Sequence, residues 1–203
     1  MERTLLSAAS DVAFDFAFLI LILSNQVKGA DTRPFRIRRS CSKIQPLPTS
    51  PQIRTADPPD APAIARLVNH AFRAERFFIA ADRTDPDKVA ALLQKGKFLL
   101  LFEDGVLIGS VYAELRGERG YFGLLAVDPQ RQRSGIGAHL IAAAEQYCRA
   151  AGCRFMDLTF VNVRQELPAY YQRFGYVENG ALPFPADQVV KIPVHLVQMS
   201  KPL

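Results

Sequence analysis

The stretch from Leu124 to Leu140 brings together a buried strand, two arginines and two glycines that open a helix. Gly135 and Gly137 let the backbone come close to a bulky anion, and the free N–H groups of the first helical turn point at it. Arg131 and Arg133 add positive charge beside the same mouth. Such a junction is built to bind a pyrophosphate. Two other phosphate-binding designs do not fit. A dinucleotide fold wants a third glycine, but Ala138, His139 and Leu140 follow Gly137, and no parallel βαβ pattern precedes them. A P-loop needs Gly-Lys-Ser/Thr, which the chain lacks. On spacing alone one alternative stays open: two glycines that simply ease a tight strand-to-helix turn.

The elements that must position this junction follow from periodicity. Residues 53–56 alternate and read as a short strand, closed by Asp57-Pro58-Pro59. Ile64, Leu67, Val68, Ala71 and Phe72 then recur at helical spacing. Asp85-Pro86 opens a second helix with Val89, Leu92 and Leu93 on its apolar face and Gly96 at its end. Three strands follow as a meander over 98–103, 106–115 and 121–127, with Asp104-Gly105 as the first turn. A long helix carries Ile136, Leu140, Ile141, Ala144 and Tyr147 on one face and ends at Gly152. Strand 155–161, a short helix over 168–174, strand 176–178 and a last strand over 190–199 complete a mixed α/β pattern.

Val127-Asp128-Pro129 followed by Gln132-x-x-Gly135-x-Gly137 resembles the acetyl-CoA signature of the GNAT superfamily of acyl-CoA-dependent N-acyltransferases. The element order from Ile53 to the C-terminus is similar too. A second block, Asn162 after a strand and then Tyr171-Gln172-Arg173-Phe174-Gly175-Tyr176, resembles the family's Tyr-x-x-x-Gly-Phe/Tyr ending. The resemblance implies an α/β (α+β) fold: a mixed, largely antiparallel sheet with helices on both faces. It implies an N-acetyltransferase that uses acetyl-CoA as co-substrate and no metal. Backbone groups of Leu125, Ala126 and Val127 would pair with the pantetheine arm and hold the thioester carbonyl. The amides of Arg133, Ser134, Gly135, Ile136, Gly137 and Ala138 would cradle the pyrophosphate. Gln132 fills a site often held by arginine, Asn162 would sit by the CoA arm, and Tyr171 would lie near the sulfur as general acid.

The chemistry of acyl transfer supports Tyr171. The reaction expels a thiolate, and a free thiol has a pKa near 8.5 against about 10 for a phenol. A tyrosine can therefore protonate the leaving sulfur without being strongly acidic itself. Plain core packing beside Tyr170 and Phe174 is the competing use. The attacking amine must also lose a proton, for which Glu114 and Tyr121 are the candidates, the phenol acting through a water. His139 and His195 read as structural. The acceptor is expected between residues 72–84 and 179–193, which carry mixed charge: Arg73, Glu75, Arg76, Asp82 and Arg83, then Asp187 and Lys191. Phe77, Phe78 and Phe184 either line an apolar acceptor pocket or, as buried aromatics more often do, pack the core.

Composition bounds the rest. The chain has 203 residues, 49% hydrophobic and 22% charged, which fits a globular domain and not a disordered chain. Its net charge of +5 is unevenly spread: residues 1–50 hold 7 Lys/Arg against 4 Asp/Glu, and the remainder hold 18 against 16. A nucleic-acid footprint is not indicated. Cys41, Cys148 and Cys153 form no metal-binding spacing and read as reduced thiols, so a cytoplasmic setting is expected. Residues 1–51 are expected to be a poorly ordered extension, or even an over-long start, and residues 52–203 the acetyltransferase domain. The apolar run 12–23 is interrupted by Asp15 and is too short to span a bilayer; membrane contact through it is not expected. The expected partner is a small-molecule or peptide amine, with a homodimer left open. The rival function on the same fold is a non-catalytic acyl-CoA-binding module.

Overall fold

The computed structural model describes residues 51–186 and 188–203; the apolar run 12–23, the rest of residues 1–50 and Asp187 lie outside the described residues. Seven strands form one sheet in the order β1-β2-β3-β4-β5-β7-β6. In chain order these are β1 (Gln52–Thr55), α1 (Ala61–Ala71), α2 (Pro86–Lys95), β2 (Lys97–Glu103), β3 (Val106–Arg116) and β4 (Arg119–Val127). Then come α3 (Ile136–Ala150), β5 (Phe155–Val161), α4 (Leu167–Gln172), β6 (Val177–Pro183) and β7 (His195–Pro202). No helix among the described residues is long and apolar enough to cross a membrane.

The helices form where the sequence places their stripes and stops. Ile64, Leu67, Val68 and Ala71 of α1 are buried. Asp85 caps α2, its Oδ1 accepting the Lys88 N–H at 2.8 Å, and Pro86 takes the first position, where its missing N–H costs nothing. The chain leaves α3 through Gly152 at φ +88°, with the Cys153 N–H donating back to the Cys148 carbonyl at 3.0 Å. Gly109 and Gly120 let α3 lie close on one face of the sheet. A Cβ at Gly109 would sit 2.9 Å from Ile136 and Leu140, and one at Gly120 would sit 2.6 Å from the Cys148 sulfur.

All neighbouring strands run antiparallel except β4 and β5. That parallel pair is short, from Arg119↔Phe155 to Tyr121↔Asp157. The Arg119 guanidinium clamps its closed end by donating twice to the Asp157 carboxylate, at 2.5 Å each. Beyond Tyr121 the strands part, because β5 stays paired with β7 along its whole length while β4 follows β3. On β4, Leu124 and Leu125 together oppose the single residue Val111, and this bulge holds Leu124 at φ +45°.

Two expectations near the C-terminus change. The strand expected over 176–178 runs on to Pro183, since Asn179-Gly180 makes a bulge against β7 and not a turn. The strand expected over 190–199 is broken. Val190 makes one bridge to Ile79, and pairing resumes only at His195, past Pro193.

A buried ion cluster ties the end of α1 to the loop before α4. Arg164 donates to Glu75 at 2.8 Å and to Glu166 at 2.5 Å. Burial pushes the Glu75 carboxyl up to about 8 against the pull of Arg83 and Arg164. A carboxyl whose folded value lies above its unfolded one holds an extra proton in the folded state between the two, so stability falls as pH rises through that window. For Glu75 the window runs from about 4.5 to about 8, and the slope approaches about 1.4 kcal/mol per pH unit. Urea unfolding across pH 5–9 should show this decline in the parent chain and a flatter profile in Glu75→Gln; identical profiles would refute it. Gly120→Ala should cost about 1–3 kcal/mol in the same assay, through overpacking against Cys148.

Candidate active site

Where β4 and β5 part, the edge of β4 from Phe122 to Val127 has no strand partner on the β5 side. Leu125, Ala126 and Val127 lie on this edge and are buried. Strand geometry there requires something to satisfy the backbone groups that turn away from β3. An extended arm carrying its own amides fits such an edge.

The strand leads into the glycine loop. Asp128 fixes the turn: its backbone N–H donates to the Ile108 carbonyl at 2.9 Å, and its Oδ1 accepts from the Gln130 N–H at 2.9 Å. Arg133 and Gly135 both take left-handed backbone, at φ +68° and +86°. Alternating conformations of this kind curl successive N–H groups into a concave cradle. The first helical bond runs from the His139 N–H to the Gly135 carbonyl at 3.0 Å, which leaves the amides of Ile136, Gly137 and Ala138 as first-turn donors. A Cβ on Gly135 would meet nothing, so its backbone conformation, and not crowding, calls for glycine. A Cβ on Gly137 would come within 3.0 Å of the Tyr170 hydroxyl, so α4 abuts the mouth. Gln132 donates to the Val127 carbonyl at 3.4 Å, and Ser134 to the Arg131 carbonyl at 2.6 Å. The cradle fits a pyrophosphate. Arg131 and Arg133 are both exposed beside the mouth, and Arg131 also pairs with Glu103 at 2.9 Å.

Tyr171 sits at the fork of the strands. Its ring packs between Phe122 of β4, at 6.0 Å, and Phe160 of β5, at 5.9 Å, with Tyr170 and Tyr176 edge-on. Among the described residues its hydroxyl has no hydrogen-bond partner. Burial holds its phenol well above the ordinary value, and Tyr121 and Glu75 add to the rise while Arg164 opposes it. Tyr121, at the apex of the fork, is buried beneath the Arg116 guanidinium, 3.9 Å from its ring centroid, and its hydroxyl lies 3.5 Å from Thr159 Oγ1. Glu114 stands opposite Tyr121 on β3, one strand back from the fork. Its Oε2 accepts from Tyr112 and from Arg116, both at 3.1 Å. Burial raises its carboxyl, and the Tyr112 hydrogen bond and nearby Lys95 oppose the shift. Asn162 braces β7: its Oδ1 accepts the His195 N–H at 2.9 Å. His139 is exposed.

On the other side of Leu124 a cavity of about 560 Å³ opens between residues 79–84, the α2 face, and Gln188-Val189. The two segments expected to flank the acceptor are joined around it. Ile79 bridges Val190, the Lys191 N–H donates to the Phe78 carbonyl at 2.8 Å, and Lys191 Nζ reaches the Arg76 carbonyl at 2.5 Å. Phe77, Phe78 and Phe184 do not line it; Phe78 is buried edge-on against the other two, at 5.1 and 6.4 Å. Glu75, Arg83 and Arg164 went unrecognised as a unit in sequence, because a partnership spanning 89 positions leaves no local signal. Among the described residues no group of three His, Cys, Asp or Glu could hold a metal ion.

The sequence model of the Acetyltransferase (GNAT) family matches residues 61–176. An aminoglycoside N(6')-acetyltransferase type 1 of Stenotrophomonas maltophilia is 33% identical over 123 residues, covering 53% of this chain and 74% of that protein. Among solved structures, Ard1 from Thermoplasma volcanium superposes with TM-score 0.64 at 18% identity, covering 75% of this chain and 97% of that one. The yncA protein of Salmonella typhimurium, solved with its cofactor acetyl-CoA, gives 0.59 at 22% identity over 75% and 94% of the two chains. The match over the glycine loop, the forked strands and the Tyr171 helix makes this chain a member of the GNAT acetyltransferase family, an N-acetyltransferase.

Proposed function

We propose that the chain transfers an acetyl group to a primary amine of a small-molecule or peptide acceptor by direct attack, at the fork between β4 and β5. The observation that carries this reading is the position of the unpaired β4 edge. It lies between the amide cradle at one end and, across Leu124, the 560 Å³ cavity on the other side. The Stenotrophomonas relative supports a small-molecule amine as acceptor.

Acetyl-CoA, when bound, supplies the activated acetyl thioester. The protein's own groups do the rest. The amides of residues 133–138 hold a pyrophosphate without a side-chain cation in every contact. Leu125, Ala126 and Val127 offer strand N–H and C=O groups to an extended arm, which fixes the carbonyl carbon for attack. Tyr171 then gives its proton to the departing sulfur. A phenol held well above its ordinary value is fully protonated at neutral pH, so the proton is always in place. Burial at the fork disfavours a free thiolate as well, so the departing sulfur has its own need of that proton. Of the two candidate bases, Tyr121 stands on β4 itself at the fork, and Glu114 is one strand back with its oxygen already twice bonded. We assign to Tyr121 the positioning of a water that carries the amine's proton out to solvent; its neutral phenol orients that water and does not itself take the proton.

Tyr171→Phe keeps the ring between Phe122 and Phe160 and removes only the hydroxyl. It should lower kcat about 10²–10⁴-fold with the acetyl-CoA dissociation constant unchanged, read by free-thiol release and calorimetry. Unaltered kcat would overturn the acid role; acetyl-CoA binding without thiol release on any amine would favour the non-catalytic module. Gly135→Ala forces a side chain into left-handed backbone and should weaken acetyl-CoA binding about tenfold, in a chain whose thermal unfolding is nearly that of the parent. Equal affinity would place the pyrophosphate elsewhere.

A further inference from the structure

The cavity beside Leu124 has walls of a definite chemical character. Lys88, Ala91, Leu92 and Lys95 fall on one face of α2, so the helix presents an apolar middle with a lysine at each end. Opposite stand Ile79, Ala80 and Ala81, with Leu124 and Val189 closing the sides. Among the described residues the lining holds one acid, Asp82, against the cations Arg83, Lys88 and Lys95. The acids in and around the cavity are already engaged. Asp82 is held by Arg76 at 3.0 Å, and Asp85 pairs with Lys88 at 3.2 Å. Glu75 is bound to Arg164 at 2.8 Å, and Glu114 accepts from Tyr112 and Arg116.

We infer that the acceptor is a single primary amine on an apolar body, and not a polycation; the inference rests on the acetyl-transfer reading above. Each extra ammonium of a polycation would leave water for a site with largely apolar walls, where Asp82 is the one lining acid among the described residues. A lone amine suffers no such penalty. Apolar walls favour its neutral form, which is the nucleophilic one, and take up its hydrocarbon body. An aminoglycoside, with several ammonium groups on a hydroxylated frame, is the opposite kind of molecule. The likeness to an aminoglycoside acetyltransferase therefore extends to the reaction and stops at the acceptor.

The test compares phenethylamine, spermidine and kanamycin as acceptors for the full chain, following thiol release from acetyl-CoA. Phenethylamine should exceed both polycations in kcat/KM by about 10²-fold or more. Ala91→Asp, at an exposed α2 position, adds a carboxylate to the wall. It should narrow that ratio at least tenfold, with the KM for acetyl-CoA unchanged. Kanamycin or spermidine turned over as well as phenethylamine would overturn the inference and leave acetyl transfer standing. Acetyl-CoA binding with no release on any of the three would overturn the transfer reading and this inference with it. An unchanged ratio in Ala91→Asp would remove the cavity as the source of the preference.

Discussion

Beyond Tyr121 and Asp157, β4 and β5 share no backbone hydrogen bonds, and the polar strand edge exposed there has to be satisfied by something. Two opposing features hold the fork in shape. At the closed end the doubly bonded Arg119–Asp157 pair keeps the strands in register. At the open end the Tyr171 ring stands between Phe122 and Phe160 and keeps them apart. β5 does not drift free, because its pairing with β7 is complete. The cleft is therefore a fixed feature of the sheet, and its walls are in place before any ligand arrives. Preorganisation of this kind lowers the cost of binding an extended arm.

At Tyr171 the packing role and the proposed acid role need not compete. Its ring is packed on several sides by aromatics, as a core residue would be, and its hydroxyl is the part that packing leaves unpaired. The alternation of Tyr170 and Tyr171 on α4 divides the work. Tyr170 turns its hydroxyl to Gly137 at the mouth, and Tyr171 faces the fork. A six-residue helix gains its position from these contacts, since so short a segment has little stability of its own.

How far the sequence was legible depended on the range over which each feature is set. The stripe of α1, the Asp85-Pro86 start of α2 and the strand-to-glycine junction are local patterns, and they fold as the spacing implies. Misreadings fall where a distant partner decides. The strand expected over 176–178 extends to Pro183 because β7 lies beside it, with a bulge at Asn179. The pairing of Arg131 with the β2 carboxylate of Glu103, at 2.9 Å, has no local sign either. The positive φ of Leu124 has no signature at all, because a leucine is an unusual choice there and only the register of β3 against β4 imposes it.

The same distinction separates the two halves of the site. The donor side is made from backbone: a strand edge, a glycine at φ +86° and the first amides of α3. Backbone geometry of this sort constrains residue types tightly, so it leaves a motif that spacing can reveal. On the proposed reading the acceptor side is made from side chains on two segments, joined by the Ile79–Val190 bridge, the bonds of Lys191 and the Phe78–Phe184 contact. Almost any residue can occupy such walls, and the choice sets what fits without disturbing the fold. A family that keeps one donor and varies its acceptor would concentrate its motifs on the first half and its diversity on the second. In this chain the diversity takes the form of alanines, leucines and isoleucine between lysines, and that composition, more than the fold, bears on which amine is acetylated.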